Sequence, residues 1–199
     1  MKKLTVSLIL LAVFAIGAAA QEKSFNKSVS ISLGGEPTLV SENPFSNNYN
    51  PYSLAGIYEP SWDSPTYLPV FGLDGDWILG RWIGISLSLS YTALKAEKLD
   101  MNNESLGWSK ARQICLVPGI KAYWANRERF KLYSGLDLGA EARWIIDDGK
   151  PDFSIAAAWD IVPIGVRFKF IDDFGLYMFV EGMTGRRVLG SRFGVGFAF

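Results

Sequence analysis

The clearest structural signal in this sequence is its last ten residues, Gly190-Ser-Arg-Phe-Gly-Val-Gly-Phe-Ala-Phe199. Large apolar side chains alternate there with glycine, alanine and arginine, and the apolar positions are Phe193, Val195, Phe197 and Phe199. Because successive side chains of a β-strand point to opposite faces, this pattern predicts a strand with one apolar face and one small, polar face.

The same two-residue period recurs through the rest of the chain. In the clearest segment, apolar residues from Ile83 to Tyr91 alternate with glycine and serine. Counting segments with this period predicts eight strands. They are 27–41, 66–79, 80–95, 109–125, 129–146, 153–170, 174–185 and 190–199.

The connections between these segments alternate in length. Those after the second, fourth and sixth strands are tight, at 79–81, 125–128 and 171–173, whereas those after the first and third are long, at 42–65 and 96–108. An even number of strands with short turns at one end and longer loops at the other is typical of membrane barrels. The sequence therefore predicts an all-β fold: an eight-stranded antiparallel up-and-down transmembrane β-barrel.

Charged residues within the predicted strands share the face that carries glycine and serine. Small side chains belong in the narrow interior of an eight-stranded barrel, so we expect the charges to lie inside it as an ion-pair network. The predicted members are Glu36, Asp74, Asp76, Lys121, Asp137, Glu141, Arg143, Arg167, Glu181 and Arg192. A soluble lipocalin-like barrel, the competing fold, would place its charges outside and its apolar side chains around a ligand.

The other end of the chain predicts export. Lys2 and Lys3 precede an apolar run from Leu4 to Gly17, and Ala18-Ala-Ala20 supplies a small-residue cleavage site. This combination is typical of a secretory signal peptide. We expect residues 1–20 to be a signal peptide that is removed and residues 21–199 to form the barrel domain. Cys115 is the only cysteine, so no intrachain disulfide is available.

Composition excludes several functions. The chain has 20 basic and 20 acidic residues, and loss of the signal peptide leaves a net charge of −2, so bulk charge does not favour nucleic acid. The chain contains no histidine, which excludes Ser-His-Asp chemistry in its usual form. The remaining carboxylate pairs are better explained by turns and ion pairs. We therefore predict no enzymatic activity, no metal site and no cofactor.

With its signal sequence, eight alternating segments, short turns and final aromatic residue, the chain resembles the small outer-membrane β-barrel, or porin-like, family of Gram-negative bacteria. That resemblance covers nearly all of residues 21–199 and implies an outer-membrane location. It also implies that the barrel-assembly machinery reads the last strand as its signal. The residues in that role would be Phe193, Val195, Phe197 and Phe199.

The fold alone does not indicate the function, because barrels of this size have several different functions. We expect a non-enzymatic monomer in contact with outer-membrane lipid, with a role in envelope integrity or in surface interaction with an extracellular ligand or protein. The first long loop carries the candidate recognition residues, which either bind such a partner or fold over the barrel mouth. They are Phe45, Tyr49, Tyr52, Tyr58 and Trp62.

Three further alternatives stay open from the sequence. The barrel could be a narrow passive channel, although eight strands leave room for little more than side chains. It could also be a periplasmic lipocalin-like binder. Basic residues beside the second long loop either meet lipopolysaccharide phosphates or are solvated strand ends. They are Lys95, Lys98, Lys110 and Arg112.

Overall fold

The computed structural model describes residues 26–41, 61–62, 65–99, 104–147, 149–171 and 175–199, with only the backbone at residues 41, 61 and 62. The predicted signal peptide lies outside these residues. Eight long strands make up most of the described chain. They are β1 (Lys27–Pro37), β4 (Val70–Leu79), β5 (Ile83–Leu99), β6 (Ser105–Asn126), β7 (Phe130–Asp147), β8 (Lys150–Ile171), β9 (Leu176–Gly185) and β10 (Val188–Ala198).

These eight strands form a closed antiparallel ring. From β4 to β10 each strand pairs with the next one along the chain, and β1 pairs with both β4 and β10. Closure of the ring leaves every strand with two neighbours over its lower part. The prediction of an eight-stranded antiparallel up-and-down barrel is confirmed.

The barrel has one short side and one tall side. Strands β1, β4, β9 and β10 contain 10 or 11 residues, close to the length that crosses a bilayer, whereas β5 to β8 contain between 17 and 22. The strands begin and end nearly level at the end of the barrel where Lys27 and Phe199 are hydrogen-bonded, which we call the terminal end. The extra length of β5 to β8 therefore stands above the opposite end, called here the loop end, as a four-stranded protruding sheet.

The two faces of the barrel wall have opposite character. Apolar side chains point outward, and Leu87, for example, keeps 42% of its surface exposed. Polar and charged side chains point inward, and Asp76 is only 2% exposed. A soluble lipocalin-like barrel requires the reverse arrangement. Exposed aromatic residues lie towards both ends of the wall, with Trp77, Trp124 and Phe168 near the terminal end and Phe71, Tyr91 and Trp159 near the loop end.

Several predicted boundaries differ from the structure, among them the start of the second strand, predicted at residue 66 and found at Val70. The first strand ends at Pro37 instead of residue 41, because Thr38–Ser41 forms a single helical turn, α1. The predicted long loop at 96–108 is wrong: β5 and β6 continue as a hairpin up to the pair Leu99 and Ser105. At the base of that region Leu94 and Ala96 point inward against Leu39 while Lys95 and Glu97 lie on the outer face, which reverses the alternation found lower in β5.

Two short strands flank the protruding sheet on one side. Strands β2 (Ser61–Trp62) and β3 (Thr66–Tyr67) both pair with the upper part of β5.

Within the described part of the chain, no helix is long and apolar enough to cross a membrane.

A bulge in β8 changes which residues face inward. Between the pairs Tyr133–Gly165 and Gly135–Val162, β8 uses one more residue than β7, and the same shift appears against β9. Pro163 lies in this extra step, as expected for a residue that has no N–H to donate to a sheet. The bulge moves the inward positions from even numbers, such as Asp160, to odd numbers, such as Arg167.

Candidate functional site

The interior charges form connected groups, and the first lies nearest the terminal end. Asp76 accepts an ion pair from Lys121, with Nζ 2.7 Å from Oδ1, and a second from Arg167. Arg167 also donates to Ser28 Oγ at 3.0 Å and stacks on the Tyr177 ring, 4.2 Å from its centroid. Each charge therefore has an opposite charge within reach, which a buried ion requires.

Arg192 forms the centre of the second group. Its guanidinium bridges Asp74, at 2.8 Å, and Glu181, which also lies 3.4 Å from Lys121 Nζ. Glu181 is fully buried and accepts a further hydrogen bond of 2.7 Å from the Tyr133 hydroxyl. Arg192 thus ties β10 to β4 and β9, and Glu181 joins this group to the first.

Arg187 organises the third group, closer to the loop end. The side chain enters the lumen from the connection between β9 and β10 and donates to both Asp137 and Asp160. Its backbone N–H also donates to Asp160 at 3.1 Å. The guanidinium reaches Ser88 as well, which in turn donates to Asp74 of the second group. The three groups are therefore continuous.

A fourth group lies above them at the loop end. Glu141 pairs with Arg143 at 2.8 Å and lies 3.7 Å from Arg186, which is partly exposed. Gln113 donates to the other oxygen of Glu141 at 2.6 Å. These contacts hold β6 and β7 to the turn that follows β9.

Nine of the ten residues predicted for the interior network lie in these groups. Glu36 does not, and its assignment to the interior is corrected: it is exposed. The register between β1 and β10 shifts between Gly34 and Glu36, which places Glu36 opposite the exposed Leu189. A shift of one residue moves a side chain to the other face of the sheet.

Three buried charges were not assigned to the interior from the sequence; they are Asp160, Lys169 and Arg187. Asp160 lies on the apolar parity of the lower part of β8, and only the bulge at Pro163 turns it inward. Arg187 lies just before β10 in a segment predicted to be a connection. Lys169 shares the inward face of Arg167, and that spacing of two residues was the signal that could have found it.

The lumen is closed within the described residues. An apolar cluster of Val70, Ile78, Tyr123, Tyr133, Val162, Met183 and Val188 fills space between the charged groups. Above it, Leu39 of α1 is fully buried against Leu94, Ala96 and Ala111 on the inner face of the protruding sheet. Thr38 fixes this turn by donating to the Gly185 carbonyl at 2.8 Å. A cavity of about 20 Å³ at the terminal end has room for about one water molecule.

The two edges of the protruding sheet differ. The upper edge of β5 is covered by β2 and β3, with Trp62 opposite Lys98 and Thr66 opposite Lys95. On the other side, the highest pair between β8 and β9 is Asp160 with Gly185, although β8 begins ten residues earlier at Lys150. In the described part of the chain, no strand pairs with this side of β8 over residues 150–158, and we call that stretch the open edge.

The other predicted site residues have these positions. Phe193 and Val195 point outward from β10 and are exposed, while Phe197 and Phe199 are half-buried. Phe45, Tyr49, Tyr52 and Tyr58 lie outside the described residues, and for Trp62 only the backbone is described, in β2. Among the residues that the structure describes, no group of three or more histidine, cysteine or carboxylate side chains could hold a metal ion.

Comparisons with known proteins bear on the fold. No protein-family model and no curated protein sequence matches the chain. Among solved structures, it is similar to the N-terminal β-barrel domain of Pseudomonas aeruginosa OprF, with a TM-score of 0.52 and 12% identity over 87% of this chain and 98% of that one. It also matches Ail, the attachment invasion locus protein of Yersinia pestis, solved with the heparin analogue sucrose octasulfate, with a TM-score of 0.46 and 13% identity over 87% of this chain and 99% of that one.

A further structure of Ail matches with a TM-score of 0.43 and 12% identity, over 87% of this chain and 96% of that one. The likeness to the OprF domain shows the fold of a small outer-membrane β-barrel, which in this chain consists of eight antiparallel strands in a closed ring with an apolar exterior. At these levels of identity, the comparisons describe the fold alone.

Proposed function

We propose that this protein resides in the outer membrane of a Gram-negative bacterium as a monomer and acts there, without catalysis, in surface interaction. The location is supported by the apolar outer face, by exposed aromatic residues towards both ends of the wall, and by the signal peptide predicted at residues 1–20. The outward row of Phe193, Val195, Phe197 and Phe199 would serve the barrel-assembly machinery as its recognition signal. Outer-membrane lipid would cover the apolar band.

The open edge of β8 is the observation that carries the surface role. An unpaired strand edge presents N–H and C=O groups that pair readily with another extended chain. The carbonyl of Trp159 accepts from Arg186 N–H at 2.8 Å, so the polar groups of Trp159 point towards this side of β8. Because this direction alternates along a strand, the N–H groups of Phe153, Ile155 and Ala157 point to the open edge.

The chemistry of the open edge fits an extended peptide. Its sequence from Ser154 to Ala158 is Ser-Ile-Ala-Ala-Ala, which contains no charge to repel an approaching strand. Pro151 shares the alternation of Ile155, so its missing N–H would also fall on the open side. Because outer-membrane barrels place their longer loops outside the cell, the loop end would face the exterior. We propose that an extracellular polypeptide adds a strand here, antiparallel or parallel to β8. The loop aromatic residues from Phe45 to Trp62 stay candidates for contacts to the same partner.

A substitution that removes one edge donor tests this role. Peptides would be selected from a random nine-residue library on the full-length protein in lipid nanodiscs, and their affinity would be measured for Ile155→Pro and Ile155→Val. Ile155→Pro removes an N–H from the open edge without removing a hydrogen bond to β7, whereas Ile155→Val keeps that N–H. We expect at least tenfold weaker binding for the proline variant and unchanged binding for the valine variant. Equal binding to both, or no selected peptide, would overturn the proposal.

The closed lumen argues against the alternative of a narrow passive channel. Ion pairs join different elements of the barrel at four levels of the interior, and Leu39 packs at the loop end. A role in envelope integrity remains compatible with the same barrel, because it needs only stable insertion.

A further inference from the structure

Three cations share the outer face of the protruding sheet. Lys95 of β5 is paired directly with Lys110 of β6, and Arg112 lies two residues from Lys110 on the same strand. All three side chains are exposed. Residues opposite one another in a sheet, and residues two apart in one strand, project from the same face. The three charges therefore form one basic patch, defined here as Lys95, Lys110 and Arg112.

The basic patch lies just above the upper aromatic residues of the wall. Tyr91 is paired with Phe71 of β4 at the loop end of the wall and with Ile114 of β6, two residues from Arg112. Tyr91 precedes Lys95 by four residues on the same outward parity. Aromatic residues of membrane barrels concentrate at the level of the lipid headgroups. The basic patch thus lies at the height where headgroup phosphates are found.

The described neighbours of the basic patch do not balance its charge. Lys95 and Lys110 oppose each other directly, an arrangement that destabilises a sheet unless an anion lies between them. Their described partners on the outer face are Thr66, Ile146 and Trp108, and Lys95 Nζ lies 3.6 Å from the centroid of the Trp108 ring. Glu97, which is opposite Trp108 and partly exposed, supplies a single negative charge.

We infer that the basic patch binds a phosphate group of a lipid in the leaflet at the loop end. This inference rests on the outer-membrane location proposed above, where that leaflet holds phosphorylated glycolipid. A phosphate between Lys95 and Lys110 relieves the repulsion of the pair, and the Arg112 guanidinium can donate two parallel hydrogen bonds to phosphate oxygens. The Trp108 ring holds the Lys95 side chain against the sheet, ready for the ligand. The bound lipid would anchor the base of the protruding sheet.

The test measures the Tm of the full-length barrel in phosphatidylcholine nanodiscs, with and without diphosphoryl lipid A. The test variant carries Lys95→Gln, Lys110→Gln and Arg112→Gln. The control variant carries Lys27→Gln, Arg81→Gln and Arg127→Gln, three exposed cations at the terminal end. We expect lipid A to raise the Tm of the wild type and of the control, and to raise that of the test variant by less than half as much.

Two further arms identify the source of the phosphate. Dephosphorylated lipid A and free inorganic phosphate should each leave the wild-type Tm unchanged. Without lipid A, the Tm of the single variant Lys110→Gln should be higher than that of the wild type, because the variant lacks the like-charge pair. With lipid A present, its Tm should be lower than that of the wild type.

Full stabilisation of the test variant by lipid A, or equal stabilisation of the wild type by inorganic phosphate, would overturn the inference. If the test variant does not fold, the inference is still tested by the wild-type measurements with dephosphorylated lipid A and inorganic phosphate and by the Tm of Lys110→Gln. Failure of the proposed location would appear differently, as a wild-type chain that does not insert into bilayers.

Discussion

Arg187 and Asp160 form a buried pair that joins the last hairpin of the barrel to the middle of β8. The side chain of Arg187 is 1% exposed and that of Asp160 is fully buried, and both the guanidinium Nε and the backbone N–H of Arg187 donate to this carboxylate. The same guanidinium reaches Asp137 of β7. One side chain thus connects the last hairpin to both β7 and β8 across the lumen.

Removal of the Arg187 charge should be costly. Arg187→Met would leave Asp137 and Asp160 without their main partner in a closed interior, with an expected loss of about 3–5 kcal/mol in the free energy of unfolding. Urea unfolding of the protein reconstituted in vesicles measures this loss. Arg186→Met is the control, because Arg186 is 32% exposed and lies 3.7 Å from Glu141. It should lose less than about 1 kcal/mol. Equal losses for the two variants would contradict the bridging role.

The Tyr133 hydroxyl should contribute through a single hydrogen bond. Tyr133→Phe removes the donor that lies 2.7 Å from Glu181, and we expect a loss of about 1–3 kcal/mol because the carboxylate is fully buried. Tyr123→Phe provides a matched control, since its ring lies 5.5 Å from that of Tyr133 and its hydroxyl has no hydrogen-bond partner among the described residues. Unfolding midpoints should fall for Tyr133→Phe alone.

The Tyr133 ring lies so close to Gly165 that a larger residue in place of this glycine should destabilise the barrel. A Cβ at position 165 would lie 2.4 Å from a ring carbon of Tyr133, closer than packed atoms approach. Gly165→Ala should therefore displace the ring and cost about 1–3 kcal/mol. At Gly182, the nearest atom to an added Cβ is 3.6 Å away, so Gly182→Ala should be tolerated. If both alanine variants unfold like the wild type, the packing described here is wrong.

Ion flow through the barrel should be absent in its folded state. Four levels of ion pairs between different elements of the barrel, together with Leu39 at the loop end, occupy the lumen among the described residues. Purified protein in planar bilayers should therefore show no sustained conductance steps. Regular steps of uniform size would favour the channel alternative instead.

The period-two pattern predicts the number of strands, their direction and the two faces of the wall, because a barrel fixes every second residue to one environment. It fails where an extra residue enters a strand. The bulge at Pro163 brings Asp160 inward, and the shift beyond Gly34 turns Glu36 outward; neither follows from strict alternation. A bulge is set by pairing with the neighbouring strands, which local sequence does not encode.

The upper part of the protruding sheet could not be predicted from the sequence for a different reason. From Leu94 upward, β5 turns Leu94 and Ala96 inward and carries Lys95 and Glu97 on its outer face, so the alternation seen lower in the strand is reversed and residues 96–108 resemble a loop. The open edge of β8 is equally hidden, since it depends on where β9 ends relative to β8. Both surface proposals thus rest on strand register, which the structure supplies and the sequence pattern does not.

The most direct test of whether this protein is a closed barrel in the outer membrane is its electrophoretic mobility with and without boiling, measured on purified outer-membrane fractions. A closed sheet with an apolar exterior has no free edge from which to unfold within its membrane-spanning part, so it resists detergent until heated. We predict that the protein is found in the membrane fraction and that its mobility changes on boiling. Recovery in the soluble periplasm, with the same mobility before and after boiling, would contradict the membrane barrel.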